Sequence, residues 1–118
     1  MSATRFDLVT LNSPSTHASA RFWSAVAELH EVEREDVDRW IVLADRHGIR
    51  RLGIQRGPSR PGSVHLDLAC DPDLFEEELR RLISLGARVL DEPRVEPYGA
   101  IANLADPDGN PFDLCAYS

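Results

Sequence analysis

The sequence predicts an α+β chain of two consecutive βαβββ modules, and three observations predict it. A short alternating stretch followed by an amphipathic helical stretch occurs twice, over residues 6–29 and again over residues 64–86. Both helical stretches open on a polar residue followed by proline, Ser13-Pro14 and Asp71-Pro72. Three β-rich runs follow each helix, and the densest turn signal of the chain, Gly57-Pro58-Ser59-Arg60-Pro61-Gly62, separates the two sets. The expected organisation is one domain over residues 1–118, with module one at about 4–57, a linker at 57–62 and module two at about 63–118. Neither module is large enough to bury both faces of its sheet. The two are therefore expected to pack into a curved mixed sheet around a cleft.

In order along the chain, residues 6–11 alternate as a strand, with Phe6, Leu8 and Thr10 on one face and Asp7, Val9 and Leu11 on the other. Ser13 before Pro14 predicts an N-cap and a helix to about residue 29, with Ala18, Phe22, Val26 and Leu29 as its buried stripe and Trp23 beside it. Strands follow at roughly 31–35, 39–46 and 51–56, with a turn at His47-Gly48. After the linker, residues 64–70 alternate again. Val64, Leu66, Leu68 and Cys70 share one face, and His65, Asp67 and Ala69 share the other. The second helix runs from Asp71-Pro72 to Gly86, with Leu74, Phe75, Leu79, Leu82 and Ile83 in its apolar stripe. Further strands are expected at 88–90, 100–105 and 112–117. Residues 93–99 read either as a plain connection or as a flap that brings the Tyr98 ring and hydroxyl to a ligand.

The composition excludes several classes of function. All 13 basic residues are arginine, against 20 Asp and Glu, so the net charge is −7. An acidic chain is not expected to bind nucleic acid, which needs a basic patch. Without lysine there is neither a Schiff-base amine nor a P-loop. No apolar run approaches membrane-span length and no secretory leader is evident, so a cytoplasmic location is expected. Cys70 and Cys115 are expected as unpaired thiols in apolar strands. Residues 106–110 lack the Gly and Glu positions of a calcium loop and read as a tight turn into the last strand. Trp40 reads as core or interface, and Arg50, Arg51 and Arg56 as surface charges. On the residues alone, His65 reads as a partner in cross-strand hydrogen bonds beside Asp67.

Three segments of the second half, VHLDLACD, LISLGARVLDEP and LADPDGNPFDLC, together with Phe22-Trp23, resemble the vicinal oxygen chelate superfamily, the glyoxalase and bleomycin-resistance group. The resemblance spans nearly the whole chain. It implies the glyoxalase/bleomycin resistance fold, a homodimer, and a small-molecule ligand in the cleft. In metal-using members four strands each point one ligand inward. Carried over, those positions are Leu8, Gln55, His65 and Asp113. Leucine offers no lone pair and an amide oxygen is a weak ligand, so the metal site is expected to be degenerate. The favoured reading is a metal-independent small-molecule binder, with Leu8, Gln55, His65, Tyr98 and Asp113 lining the cleft. The alternative is a metal-dependent lyase, isomerase or dioxygenase with a divalent ion at His65, Gln55 and Asp113. A third reading is a non-catalytic domain whose cleft is filled by its own side chains. A one-residue slip of the first strand would put Asp7 inward instead of Leu8, but Val9 and Leu11 need the core and oppose that slip.

Overall fold

A computed structural model of the chain describes residues 5–62, 65–97 and 99–117. The chain is α+β and divides into two compact units, Met1–Pro58 and Ser59–Ser118. The first contains β1 (Val9–Ser13), α1 (Thr16–Ala27), β2 (His30–Glu35), β3 (Trp40–Ala44) and β4 (Arg50–Arg56). The second contains β5 (Leu66–Ala69), a 3-10 turn (Pro72–Leu74), α2 (Phe75–Ser84), β6 (Arg88–Glu96), β7 (Gly99–Ala105) and β8 (Pro111–Tyr117). The sheet orders are β1-β4-β3-β2 and β5-β8-β7-β6. In each sheet the first and last strands of the module pair in parallel, and the other pairs are antiparallel. The repeat expected from the sequence is therefore a repeat of topology.

The inner strands are buried on both faces, β3 from Ile41 through Ala44 and β8 from Leu114 through Ala116. In the first module, Leu11, Ile41, Leu43, Leu52 and Ile54 are buried together with Phe22, Trp23 and Val26 of α1. Phe22 and Trp23 meet edge to face at 5.2 Å. In the second, Leu104, Phe112 and Leu114 are buried, as are Phe75 and Leu82 of α2.

The last two loops of the modules are built alike. Asp45-Arg46-His47-Gly48-Ile49 and Asp106-Pro107-Asp108-Gly109-Asn110 each close with the aspartate N–H donating to the carbonyl four residues on, and the glycine N–H donating back to the aspartate carbonyl, all at 2.9 Å. Each glycine sits at positive φ, +79° and +88°. In each, an aspartate carboxylate accepts two backbone N–H groups of its own loop.

Several boundaries differ from expectation, each for a local reason. β1 begins at Val9, and Phe6 is 81% exposed. Leu8 lies one residue before the strand, and Asp7 is engaged by Arg50 at 2.9 Å, so the slip that would turn Asp7 inward does not occur. α1 begins at Thr16 because Ser13 ends β1; its hydroxyl accepts from the Ser15 N–H instead of capping the helix. The first turn after Asp71 is a 3-10 turn, and Asp71 makes no side-chain cap. The expected start of β5 at Val64 falls outside the described residues. β6 runs on through Glu96, so residues 93–96 are neither a connection nor a flap. An edge strand tolerates Pro93, whose missing N–H is not needed there, and the register shifts between Asp91 and Arg94.

The β2–β3 hairpin carries strain. Val37 sits at φ +66° and is 82% exposed. A β-branched residue there is costly, because Cβ crowds the backbone. Val37→Gly is expected to raise stability by about 1 kcal/mol, read as a higher urea midpoint.

Both cysteines are free. The Cys70 N–H donates to the Cys115 carbonyl at 2.9 Å. Burial, with Glu78 and Asp71 close by, pushes the Cys70 thiol up. Both thiols are expected to react slowly with a thiol reagent near neutral pH, and fast labelling of the native chain would contradict this.

Candidate functional site

The strand register allows the two modules to be compared position by position. In the second, Asn103 of β7, Asp113 of β8 and Asp67 of β5 stand in one row across the sheet. In the first, one extra residue in β4, where the β3–β4 register shifts, brings Val42, Gly53 and Thr10 into the corresponding row. His65 lies two residues before Asp67, as Leu8 lies two before Thr10. Leu8 is thus the counterpart of His65. Asp113, however, corresponds to Gly53, not to Gln55. Gln55 is exposed two residues further on, opposite Asn12 and Trp40.

The second-module row is polar and connected. The His65 imidazole Nε2 stands 3.8 Å from Asp113 Oδ2 and 3.8 Å from Asp67 Oδ1. Asn103 Nδ2 donates to Asp113 Oδ1 at 2.6 Å, and Arg94 Nη1 donates to Asn103 Oδ1 at 2.6 Å. Arg94 in turn donates from Nε to Glu96. Asp113 is largely covered, whereas His65 and Asp67 are more than half exposed. His65 and Asp113 approach each other closely but at 3.8 Å do not share a hydrogen bond. Asp67 was read only as a neighbour of His65. Its place facing Asp113 follows from parallel pairing of strands 46 positions apart, which no local pattern encodes.

The first-module row carries no such chemistry. Val42 is fully buried. At Gly53 a Cβ would lie 2.2 Å from Cη2 of Trp40, so the indole occupies the space where Asp113 has its carboxylate in the other module. The Trp40 Nε1–H donates to Glu33 at 2.8 Å, and Arg50 donates to the same carboxylate at 3.0 Å. Those two donors, the indole first, hold the Glu33 carboxyl below the usual carboxylate range. Its contribution to stability is present above the ordinary glutamate pKa of about 4.3 and is lost as pH falls through the lower folded value. Tryptophan fluorescence is expected to change as the pH falls below the ordinary glutamate range, and Glu33→Gln is expected to remove that transition. Arg50, Arg51 and Arg56 are paired with Asp7, Asp45 and Asp38, consistent with surface roles.

Tyr98 lies outside the described residues. A hollow of about 190 Å³ beside Cys70, Leu74, Glu77, Glu78 and Arg81 is smaller than ligand pockets, which start near 300 Å³, and it is separate from the polar row.

The residues present do not fit the four-strand donor set of the metal-using relatives, because Leu8 and Gly53 offer no ligand atom. Fold and site together define a two-module βαβββ protein in which one module is polar at its centre and the other is not. The family model for the glyoxalase-like domain matches residues 8–115, and the chain belongs to that family, within the vicinal oxygen chelate superfamily. Solved structures share the fold. A glyoxalase-related enzyme from Fulvimarina pelagi is 23% identical with a TM-score of 0.77, the match covering 95% of this chain and 87% of that one. A glyoxalase/bleomycin resistance protein/dioxygenase family enzyme from Burkholderia phytofirmans is 18% identical with a TM-score of 0.80, covering 95% and 98%. A variant of the fosfomycin resistance protein FosX from Listeria monocytogenes, complexed with Mn(II) and a dihydroxypropylphosphonic acid, is 19% identical with a TM-score of 0.79, covering 100% and 93%. No curated protein matches the sequence. Among the described residues no helix is long and apolar enough to cross a membrane.

Proposed function

We propose that this chain is a small-molecule-binding member of the glyoxalase-like family with a degenerate metal site, its ligand anchored on the second module's polar row. One observation carries the reading. At matching register positions the second module presents Asn103, Asp113 and Asp67, and the first presents Val42, Gly53 and Thr10. Two carboxylates and an imidazole suit a ligand that offers hydroxyl or amine donors, with Asp113 Oδ2 and Asp67 accepting. Leu8, Gln55 and Tyr98 remain in the proposal as lining residues, and a homodimer in the cytoplasm remains its expected state. The test is a thermal-shift screen of hydroxyl- and amine-bearing compounds in chelator-containing buffer. Stabilisation is expected in the native chain and not in Asp113→Asn or His65→Ala. Hits that ignore both substitutions would overturn the anchoring.

A metal-dependent lyase, isomerase or dioxygenase is the second reading. His65, Asp67 and Asp113 each offer a ligand atom within 4.8 Å of the others, and a FosX relative was solved with Mn(II). Turnover dependent on added metal would favour it over a binding protein.

A further inference from the structure

We infer that the ligand of the second module's row is a zwitterion of the amino-acid type, with its ammonium group on Asp113 and Asp67 and its carboxylate on Arg94. Arg94 is then the residue that sets specificity. The inference rests on the anchoring proposed above and adds the group at the ligand's other end.

The first feature is a separation of charge along the row. The Asn103 amide stands between a guanidinium and a carboxylate. Its Oδ1 accepts from Arg94 Nη1 at 2.6 Å, and its Nδ2 donates to Asp113 Oδ1 at 2.6 Å. A reversed amide would set donor against donor at Arg94 and acceptor against acceptor at Asp113, so the two neighbours fix its orientation. An arginine and an aspartate in direct contact pair as a fork and satisfy each other. With an amide between them, each keeps hydrogen-bonding capacity for a third group.

The second feature is where that capacity lies. Arg94 uses Nε on Glu96 and one Nη1 hydrogen on Asn103, and it makes no other hydrogen bond among the described residues. A guanidinium carries five N–H donors, so its Nη2 edge remains for an anionic group. The side chain is nearly half exposed, which leaves that edge reachable. At the other end, Asp113 and Asp67 are direct partners on neighbouring parallel strands, where like charges repel. Among the described residues, only His65 stands within 4 Å of either as a group of opposite charge, and then only when protonated. An ammonium group brings three donors and the positive charge this end lacks.

The third feature is spacing. Two bonds of 2.6 Å across one amide put the guanidinium and the Asp113 carboxylate about 7 Å apart. With a charge-assisted hydrogen bond of about 2.8 Å at each end, the bridging ligand needs its ammonium and carboxylate a few ångströms apart, as in an α- or β-amino acid. Repulsion sharpens the choice: a dication meets Arg94, and a dianion meets Asp113 and Asp67.

The experiment is calorimetric titration of the full chain, in chelator-containing buffer, with β-alanine and each common α-amino acid. The tightest is then compared with its amide, which lacks the carboxylate, and its N-acetyl derivative, which lacks the ammonium. Circular dichroism and the urea midpoint check each variant's fold. At least one amino acid is expected to bind, with both derivatives at least 10-fold weaker. Arg94→Gln is expected to weaken the amino acid at least 10-fold without weakening the amide, and Asp113→Asn to weaken both. Arg80→Gln, on the exposed side of α2, is expected to change neither. Failure of every amino acid to bind at millimolar concentration would overturn the inference, as would an amide that binds as tightly as its parent acid. So would unchanged binding of the amino acid in a folded Arg94→Gln chain. Thermal-shift hits that need Asp113 and ignore Arg94→Gln would end this inference and leave the anchoring standing. Binding that ignores Asp113→Asn and His65→Ala would end both.

Discussion

Asp106→Ala will destabilise the protein by about 3–5 kcal/mol, a large share of the 5–15 kcal/mol of a typical domain. The Asp106 side chain is fully buried and accepts from the Asp108 N–H at 3.0 Å, the Asn110 N–H at 2.7 Å and the Asn110 Nδ2 at 2.9 Å. Hydrogen bonds to a carboxylate are worth about 1.5–3 kcal/mol each, and alanine would leave the two buried Asn110 donors and the half-buried Asp108 N–H without this acceptor. The same loop starts β8, so its loss also disturbs the strand that carries Asp113. Asp106→Asn keeps one acceptor oxygen and is expected to cost about 1–2 kcal/mol. The repeat supplies an internal control. Asp45 holds the corresponding turn but is partly exposed, so Asp45→Ala is expected to cost less than Asp106→Ala. Urea denaturation reads all three, and equal midpoints for the two alanine variants would contradict the account.

Gly53→Asp, which would place a carboxylate at the counterpart of Asp113, will destabilise the chain by about 2–4 kcal/mol and will not create a ligand. Gly53 lacks positive φ, so its backbone does not require glycine. The requirement comes from Trp40, whose ring a Cβ would meet at 2.2 Å. The ring cannot swing away freely, because its Nε1–H is held by Glu33. Overpacking and the loss of that hydrogen bond combine in the expected cost. In a Trp40→Ala background the same substitution is expected to cost at least 1 kcal/mol less, because contacting residues couple. Additive effects in this cycle would show that the ring does not control position 53.

Much of the fold was legible because the signals are local. The alternation of residues 66–69 and the period of α2 come from spacing, and the matching turns at Gly48 and Gly109 come from residue type. The β2–β3 hairpin turn was not legible, since Asp36-Val37 adopts a positive-φ turn without the Asn-Gly pair that usually marks one. β6 was read too short because Pro93 argues against a strand, and its place at the sheet edge is a property of topology.

The site was half legible. His65 and Asp113 follow from sequence resemblance and come together in the second module. Gln55 is the fourth-strand position that the resemblance sets beside Asp113. Counted from the Asp45 and Asp106 turns, the counterpart of Asp113 would be Leu52, and the extra residue Arg51 moves it to Gly53, two residues short of Gln55. A single inserted residue in a strand exchanges its faces or shifts its row, and composition does not reveal it. Aligning the two Asp-x-x-Gly turns would have shown that the positions differ, although not which strand absorbs the extra residue. Asn103 carried no signal, since an amide in an apolar strand run has meaning only once its neighbour across the sheet is known.

The account rests on asymmetry between the modules, and amide chemical-shift mapping of the 15N-labelled chain during titration with a hit from the screen tests it most directly. The expected shifts cluster at His65, Asp67, Arg94, Asn103 and Asp113, with Thr10, Val42 and Gly53 little changed. Shifts centred on Thr10, Val42 and Gly53, with the second-module row unmoved, would contradict it.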